Sequence, residues 1–134
     1  MGITLKYRRR ATHEVRVAGV KIGGSNPISV QSMTNTPTAD VERSVAQVAS
    51  IANKGADIVR LTAQGKREGE ALRPIMQSLR NQRVDTAIVA DIHFTPEIAM
   101  MAAEVVDKVR INPGNFRTSN GELSRLIEIC RRRG

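Results

Sequence analysis

Two arginines stand inside apolar segments, where a charged side chain is unexpected. The stretch GADIVRLT contains Arg60, and VVDKVRINPGN contains Arg110, each in the same D-x-V-R frame. A guanidinium group binds carboxylate or phosphate oxygens through two parallel N–H donors. Two such groups in one frame therefore indicate an anion-binding site, provided that the fold brings them together.

The alternation of a β-strand predicts the direction of both side chains. Residues two apart share a face, so each arginine lies opposite the apolar pair that flanks it. The apolar face should pack against helices, and the arginines should point the other way. In a barrel that direction is the interior, and Arg60 and Arg110 should converge near the carboxyl-terminal mouth. Either arginine alone would also be satisfied by a carboxylate such as Asp91.

Polar residues gather at the carboxyl-terminal ends of all four predicted strands, which is where barrel enzymes keep their active sites. The NPGN turn after the fourth strand also exposes backbone amides that can bind an anion. A single strand-end Asp or His is commonly a structural hydrogen-bonding group, so the prediction depends on the joint pattern. We assign no catalytic residue and no metal ligand. The candidate residues of this anion site are Gln31, Met33, Asn35, Arg60, Asp91, His93, Arg110, Asn112 and Asn115.

The elements that must position these residues follow from hydrophobic periodicity. Strands are predicted near 28–33, 57–62, 87–92 and 107–112, with helices between them and a β-hairpin near 15–22. Thr36 or Thr38 is expected to cap the first helix. Pro74 should interrupt the second helix or mark its first turn. Cys130 lies on the apolar stripe of the last helix and is expected to be a buried small hydrophobe.

Strands that alternate with helices predict an α/β fold with a parallel sheet. Two architectures fit: a doubly wound open sheet, or the first four β-α units, half, of a (β/α)8 TIM barrel. A complete barrel needs about 250 residues. We therefore expect a fragment of a longer chain. Residues 1–25 would be an N-terminal extension with the hairpin, and residues 26–134 the N-terminal half of a TIM-barrel substrate-binding domain.

Composition narrows the classes of partner that the chain is expected to bind. The net charge of +8 includes arginine runs at 8–10 and 131–133, which are either solvated termini or an anion-binding feature. Aromatic residues make up only 2% of the chain, whereas single-stranded nucleic-acid sites use stacking aromatics. No apolar run approaches the roughly 20 residues of a membrane span. The single cysteine excludes an internal disulfide and favours a reducing cytoplasm. We expect that cytoplasm to be bacterial. We expect no nucleic-acid partner and no membrane partner.

Four motifs in order and spacing resemble one enzyme family. VQSMTNT (30–36), GADIVRLT (55–62), VADIHF (89–94) and VRINPGN (109–115) are similar to the N-terminal part of 4-hydroxy-3-methylbut-2-enyl diphosphate synthase. The resemblance covers nearly the whole chain from about residue 9. TAQGKRE (62–68) resembles the long, three-domain form of that family.

The resemblance implies an oxidoreductase of the methylerythritol phosphate route to isoprenoids. Such an enzyme reductively converts 2-C-methyl-D-erythritol 2,4-cyclodiphosphate to 4-hydroxy-3-methylbut-2-enyl diphosphate. Arg60 and Arg110 would grip the diphosphate in the barrel. A separate domain would carry a [4Fe-4S] cluster on three cysteines and a glutamate, with ferredoxin or flavodoxin as electron donor. Those ligands are absent here, so this chain alone should be inactive. We also expect a homo-oligomer.

Two other functions fit parts of the sequence. A TIM barrel of the pterin-binding synthase type shares the fold logic and an anion-binding mouth. A non-enzymatic basic module would bind nucleic acid through the terminal arginine runs, and its binding would depend steeply on salt.

Overall fold

Strand and helix alternate along the chain in the computed structural model, which describes residues 10–116 and 119–134. The expected extension of residues 1–25 falls partly on residues 1–9, so Arg8 and Arg9 lie outside the described residues. The elements in chain order are β1 (Val15–Val17), β2 (Val20–Ile22), β3 (Gln31–Met33), α1 (Val41–Asn53), β4 (Ile58–Thr62), α2 (Lys66–Asn81), β5 (Ala87–Ile92), α3 (Pro96–Ala103), β6 (Lys108–Ile111) and α4 (Glu122–Arg133).

The four later strands form one parallel sheet in the order β3-β4-β5-β6. Each strand pairs with the one before it, and the order does not reverse as it would in a doubly wound sheet. The antiparallel hairpin of β1 and β2 precedes the sheet, as predicted. Among the described helices, none combines the length and hydropathy that crossing a bilayer requires.

The two faces of the sheet have different coverings. One face packs against the helices in an aliphatic core that includes Val59, Leu61 and Ile88. The opposite face carries a smaller cluster, in which Val17 of the hairpin packs with Ile58 and Val89. The hairpin therefore covers the amino-terminal end of the face that points away from the helices. This leaves the carboxyl-terminal end of that face to the polar residues.

The repeated D-x-V-R frame performs the same structural task twice. Asp57 lies just before β4, and its Oδ2 accepts a 2.8 Å hydrogen bond from the backbone N–H of Val30. Asp107 lies just before β6, and its Oδ2 accepts a 2.8 Å bond from the N–H of Ile88. Each aspartate thus ties its own strand to the preceding one. The register of the arginine three residues later depends on this tie.

Two helix predictions were wrong. Asp40, rather than Thr36 or Thr38, caps α1 by accepting a bond from the N–H of Arg43. The helix begins after a turn in which Asp40 N–H bonds to Pro37 O, so the threonines lie too early. Pro74 stands inside α2 without ending it. Both Pro74 and Glu70 are exposed, so water can bond the Glu70 carbonyl that the proline leaves unpaired.

Three further details differ from the predictions. Strand β3 covers only Gln31–Met33, which is shorter than the predicted 28–33. Strand β6 covers Lys108–Ile111, which is shorter than the predicted 107–112, and Val105 and Val106 before it pack against the helix-side core. Cys130 is exposed, because the described elements leave its side of α4 uncovered.

Candidate anion-binding site

Register and alternation bring the candidate residues to one place. Asp91 is the register partner of Arg110 across β5 and β6, so their side chains stand beside each other on the same face. Arg60 on β4 lies one level lower, opposite Val89. Its long side chain reaches up toward Asp91. The two arginines therefore share the face opposite the helices, with β5 between them.

Asp91 is the centre of this group. It is 2% exposed, and its two carboxylate oxygens face different arginines. Oδ1 accepts a 2.9 Å hydrogen bond from Nη1 of Arg110, and Oδ2 lies 3.3 Å from Nε of Arg60. Nε2 of His93 lies 3.7 Å from the same Oδ2. A buried carboxylate requires such partners, because its desolvation is costly without them.

The charges in the cluster do not balance. Two guanidinium groups share one carboxylate, so Arg60, Asp91 and Arg110 together carry a net charge of +1 when His93 is neutral. The arginine side chains are 28% and 44% exposed, which leaves both accessible from the mouth. The alternative prediction, in which an arginine pairs with Asp91, is thus observed, but a single aspartate pairs with both arginines.

The donors of Arg60 are only weakly occupied. Its Nη2 lies 3.1 Å from Sδ of Met33, and a thioether is a weak acceptor. Its Nε lies near Asp91 but makes no well-directed hydrogen bond within the described residues, although it is shielded from solvent. Buried donors are normally satisfied in native proteins. Arg60 therefore retains capacity for an additional acceptor.

A cavity of about 200 Å³ opens beside Arg110. It is lined by His93, Phe94, Arg110, Asn112 and Asn115. Within the turn, Oδ1 of Asn112 accepts a bond from the N–H of Gly114, and Asn115 N–H bonds to Asn112 O. These bonds hold the NPGN turn as one wall. Three predicted residues, His93, Asn112 and Asn115, thus line the same cavity as Arg110.

The three predicted residues in and just after β3 lie in three different places. Met33 contacts Arg60 and so belongs to the cluster. Gln31 lies lower on β3, opposite Ile58, and is exposed. Asn35 is bonded to Gln47 of α1 through both its N–H and its side-chain oxygen. Its amide therefore anchors the loop between β3 and α1 rather than entering the arginine cluster.

Sequence reasoning missed Gln64 and Phe94. The Nε2 of Gln64 lies 3.1 Å from Nδ1 of His93, and Phe94 lines the cavity with an edge-on contact to the His93 ring. Gln64 continues the same two-residue alternation as Arg60 and Thr62. That alternation is the signal by which Gln64 could have been placed on the arginine face.

The positions of potential metal ligands are a further feature of the described residues. The described residues contain no cluster of three His, Cys, Asp or Glu side chains that could hold a metal ion. Desolvation raises the pKa of the Cys130 thiol above its ordinary value, which disfavours the thiolate that binds metals and attacks electrophiles. Cys130 lines a different cavity, together with Val17 of the hairpin.

Comparison with known proteins identifies similar chains. The model of the GcpE TIM-barrel domain family matches residues 12–134. A relative from Phocaeicola vulgatus, named 4-hydroxy-3-methylbut-2-en-1-yl diphosphate synthase (flavodoxin), is 51% identical over 82% of this chain and 18% of its own length. A relative from Leptospira interrogans with the same name is 50% identical over 92% of this chain and 20% of its own. The chain thus spans about a fifth of the length of these relatives.

A plant relative and one solved structure complete the comparison. The Oryza sativa protein, named 4-hydroxy-3-methylbut-2-en-1-yl diphosphate synthase (ferredoxin), chloroplastic, is 44% identical over 89% of this chain and 16% of its own length. A Xanthomonas albilineans dihydropteroate synthase structure has a TM-score of 0.62, with 18% identity over 87% of this chain and 46% of its own. At that identity the likeness concerns the fold alone.

Proposed function

Because this chain belongs to the GcpE TIM-barrel domain family, we propose that it is the first half of the substrate-binding barrel of a 4-hydroxy-3-methylbut-2-enyl diphosphate synthase. The complete protein would reductively convert 2-C-methyl-D-erythritol 2,4-cyclodiphosphate to 4-hydroxy-3-methylbut-2-enyl diphosphate in isoprenoid biosynthesis. The names of relatives at 51% and 44% identity support this reaction. The domain would comprise residues 26–134, with residues 1–25 as an extension.

The observation that carries the proposal is the pair of arginines around one carboxylate. A diphosphate offers oxygens in the geometry that guanidinium forks bind. Arg60 supplies donors that Met33 and Asp91 leave weakly occupied. Arg110 is bound to Asp91 through Nη1 and is 44% exposed at the cavity. A diphosphate between them would meet the net positive charge that Asp91 alone leaves uncompensated.

The remaining candidates would complete the pocket around the anion. We assign His93, Asn112 and Asn115 to the wall beside Arg110, where they line the cavity. Gln31, Met33 and Asn35 would shape the opposite wall. Met33 would act through its contact with Arg60, and Asn35 through the loop that it holds to Gln47.

The reductive part of the reaction requires groups that this chain does not supply. The residues present do not fit a [4Fe-4S] cluster, because the chain has one cysteine whereas the family pattern uses three with a glutamate. The cluster and its contact with flavodoxin or ferredoxin would therefore belong to another part of the complete protein. A cytoplasmic location and a homo-oligomeric state form part of this proposal. The lack of an internal disulfide suits a reducing compartment.

Calorimetric titration of the full-length protein with the cyclic diphosphate tests the site. Arg60→Ala and Arg110→Ala should each weaken binding by several kcal/mol, since a charged hydrogen bond contributes about 1.5–3 kcal/mol and each arginine can make two. Arg60→Lys and Arg110→Lys should recover only part of the affinity, because lysine keeps the charge but loses the fork.

Arg73→Ala is the matched control, because Arg73 is exposed on α2. Its substitution removes the same charge at a position away from the arginine cluster. Its affinity should equal that of the unmodified protein. An unchanged affinity of Arg60→Ala for the cyclic diphosphate would contradict the proposed function.

A further inference from the structure

Gln64 is held beside His93 by its own backbone contacts. It lies in the two-residue alternation of β4, just before α2. The carboxylate of Glu68, in the first turn of α2, accepts bonds from the N–H groups of Gln64 and Gly65. These bonds anchor the backbone from which the amide of Gln64 reaches Nδ1 of His93 at 3.1 Å. The contact therefore has a defined geometric support.

One ring nitrogen of His93 faces a carboxylate, and the other faces an amide. Nε2 lies 3.7 Å from Oδ2 of Asp91, and Nδ1 meets the amide of Gln64. A neutral imidazole has one N–H donor and one lone pair, and the neighbours select which nitrogen carries the proton. A lone pair on Nε2 would face a carboxylate and be repelled. Because 3.7 Å is beyond hydrogen-bond range, this repulsion favours the proton on Nε2 without fixing it there, and with the proton on Nε2 the Nδ1 atom is an acceptor.

The amide of Gln64 matches this requirement in one orientation. With its NH2 group toward His93, it donates to the lone pair of Nδ1. With its oxygen toward His93, it would require Nδ1–H and would turn the Nε2 lone pair toward Asp91. Only the first arrangement satisfies both neighbours of the ring.

We propose that Gln64 is a positioning residue that holds neutral His93 in the Nε2–H tautomer, with its proton directed at the carboxylate between the two arginines. This inference rests on the proposed function only in assigning the same site to the diphosphate. An arriving anion would compete with Asp91 for Arg60 and Arg110. The Nε2–H of His93, 3.7 Å from Oδ2, would then be the donor placed to approach the carboxylate. Gln64 thus acts on the arginine site through His93.

Solid-state ¹⁵N NMR of the full-length protein, labelled on histidine, measures the tautomer directly. The signals of His93 are identified by their loss in His93→Gln. In the unmodified protein, Nδ1 should fall in the unprotonated range and Nε2 in the protonated range. Gln64→Glu replaces the donor with an acceptor, so the Nδ1 signal should move to the protonated range. Gln64→Leu should leave a mixture of tautomers.

Gln77→Glu and Gln77→Leu are matched controls, because Gln77 is exposed on α2. Neither should move the His93 signals. A Nδ1 signal that stays unprotonated in both Gln64 variants, or that is protonated in the unmodified protein, overturns the inference. Titration of the same variants with the cyclic diphosphate separates the two proposals. A changed tautomer in a protein whose Arg60→Ala variant binds normally supports the role of Gln64 and rejects the diphosphate site.

Discussion

At the scale of single residues, Asp91 is the group on which the site depends. It is nearly fully buried and receives Arg110 at one oxygen and Arg60 at the other. Without the carboxylate, two guanidiniums would stand close together on one face with no counter-charge. The aspartate thus serves the folded state by separating two like charges, while it leaves one positive charge for a ligand.

Asp91→Asn tests this balance. The substitution keeps the shape but removes the charge, so we expect a loss of about 1.5–3 kcal/mol in the free energy of unfolding. Chemical denaturation of the full-length protein measures it. Added sulfate or diphosphate should restore more stability in Asp91→Asn than in the unmodified protein, since a bound anion replaces the missing charge. Asp85→Asn, at an exposed position, is the control. Equal stability of both variants would argue against this role of Asp91.

At the scale of elements, the D-x-V-R frame combines an aspartate that bonds to the neighbouring strand with an arginine of the candidate site. Asp57 and Asp107 accept N–H groups in or just before the preceding strand, and the arginines follow three residues later inside β4 and β6. A shift of one residue in register would turn every side chain of a strand to the other face. The aspartates therefore help to set the side on which Arg60 and Arg110 appear. This explains why the frame, and not only the arginine, occurs twice.

The two aspartates should differ in their contribution to stability. Asp107 is partly buried and also binds Nη2 of Arg80 at 2.8 Å, whereas Asp57 is exposed. Asp107→Ala leaves a cation and the N–H of Ile88 unpaired, so it should cost about 1.5–3 kcal/mol. Asp57→Ala removes one exposed bond and should cost about 1 kcal/mol or less. Urea denaturation of both variants gives the comparison. A larger loss for Asp57→Ala would contradict the assignment of the stronger clamp to Asp107.

At the scale of the whole molecule, the sheet has two unpaired edges among the described strands, β3 and β6. Beside β3, Ile28 and Val30 are 86% and 57% exposed. Near β6, a cavity of about 340 Å³ lies between the hairpin and α4, with Val109 and Cys130 in its lining. Parallel sheets are normally covered on both faces, and open strand edges pair readily with other chains. These surfaces favour association.

The polypeptide of residues 1–134, when produced alone, should therefore self-associate or be poorly stable. Light scattering coupled to size-exclusion chromatography, together with thermal melts, measures both properties. Ile28→Lys and Val30→Lys should reduce association, because charged residues on an edge oppose strand pairing. A monodisperse monomer that unfolds cooperatively would contradict this expectation.

Much of this arrangement follows from local periodicity. The alternation of two predicts the face of each strand residue, so the common side of Arg60 and Arg110 could be read from the chain. The repeated strand-helix pattern likewise predicted a parallel sheet preceded by a hairpin. These features depend on neighbours in sequence, and the backbone geometry of a strand is enough to specify them.

Other features depend on contacts between distant segments. Register decides that one Asp91 serves both arginines, and it decides that Gln64 meets His93 across 29 residues of chain. The packing of Val17 against the sheet face opposite the helices depends on which elements lie alongside, and so does the exposure of Cys130. Periodicity sets the face of a side chain but not its height relative to the next strand. The height comes from the hydrogen-bonded register, which the folded sheet alone specifies.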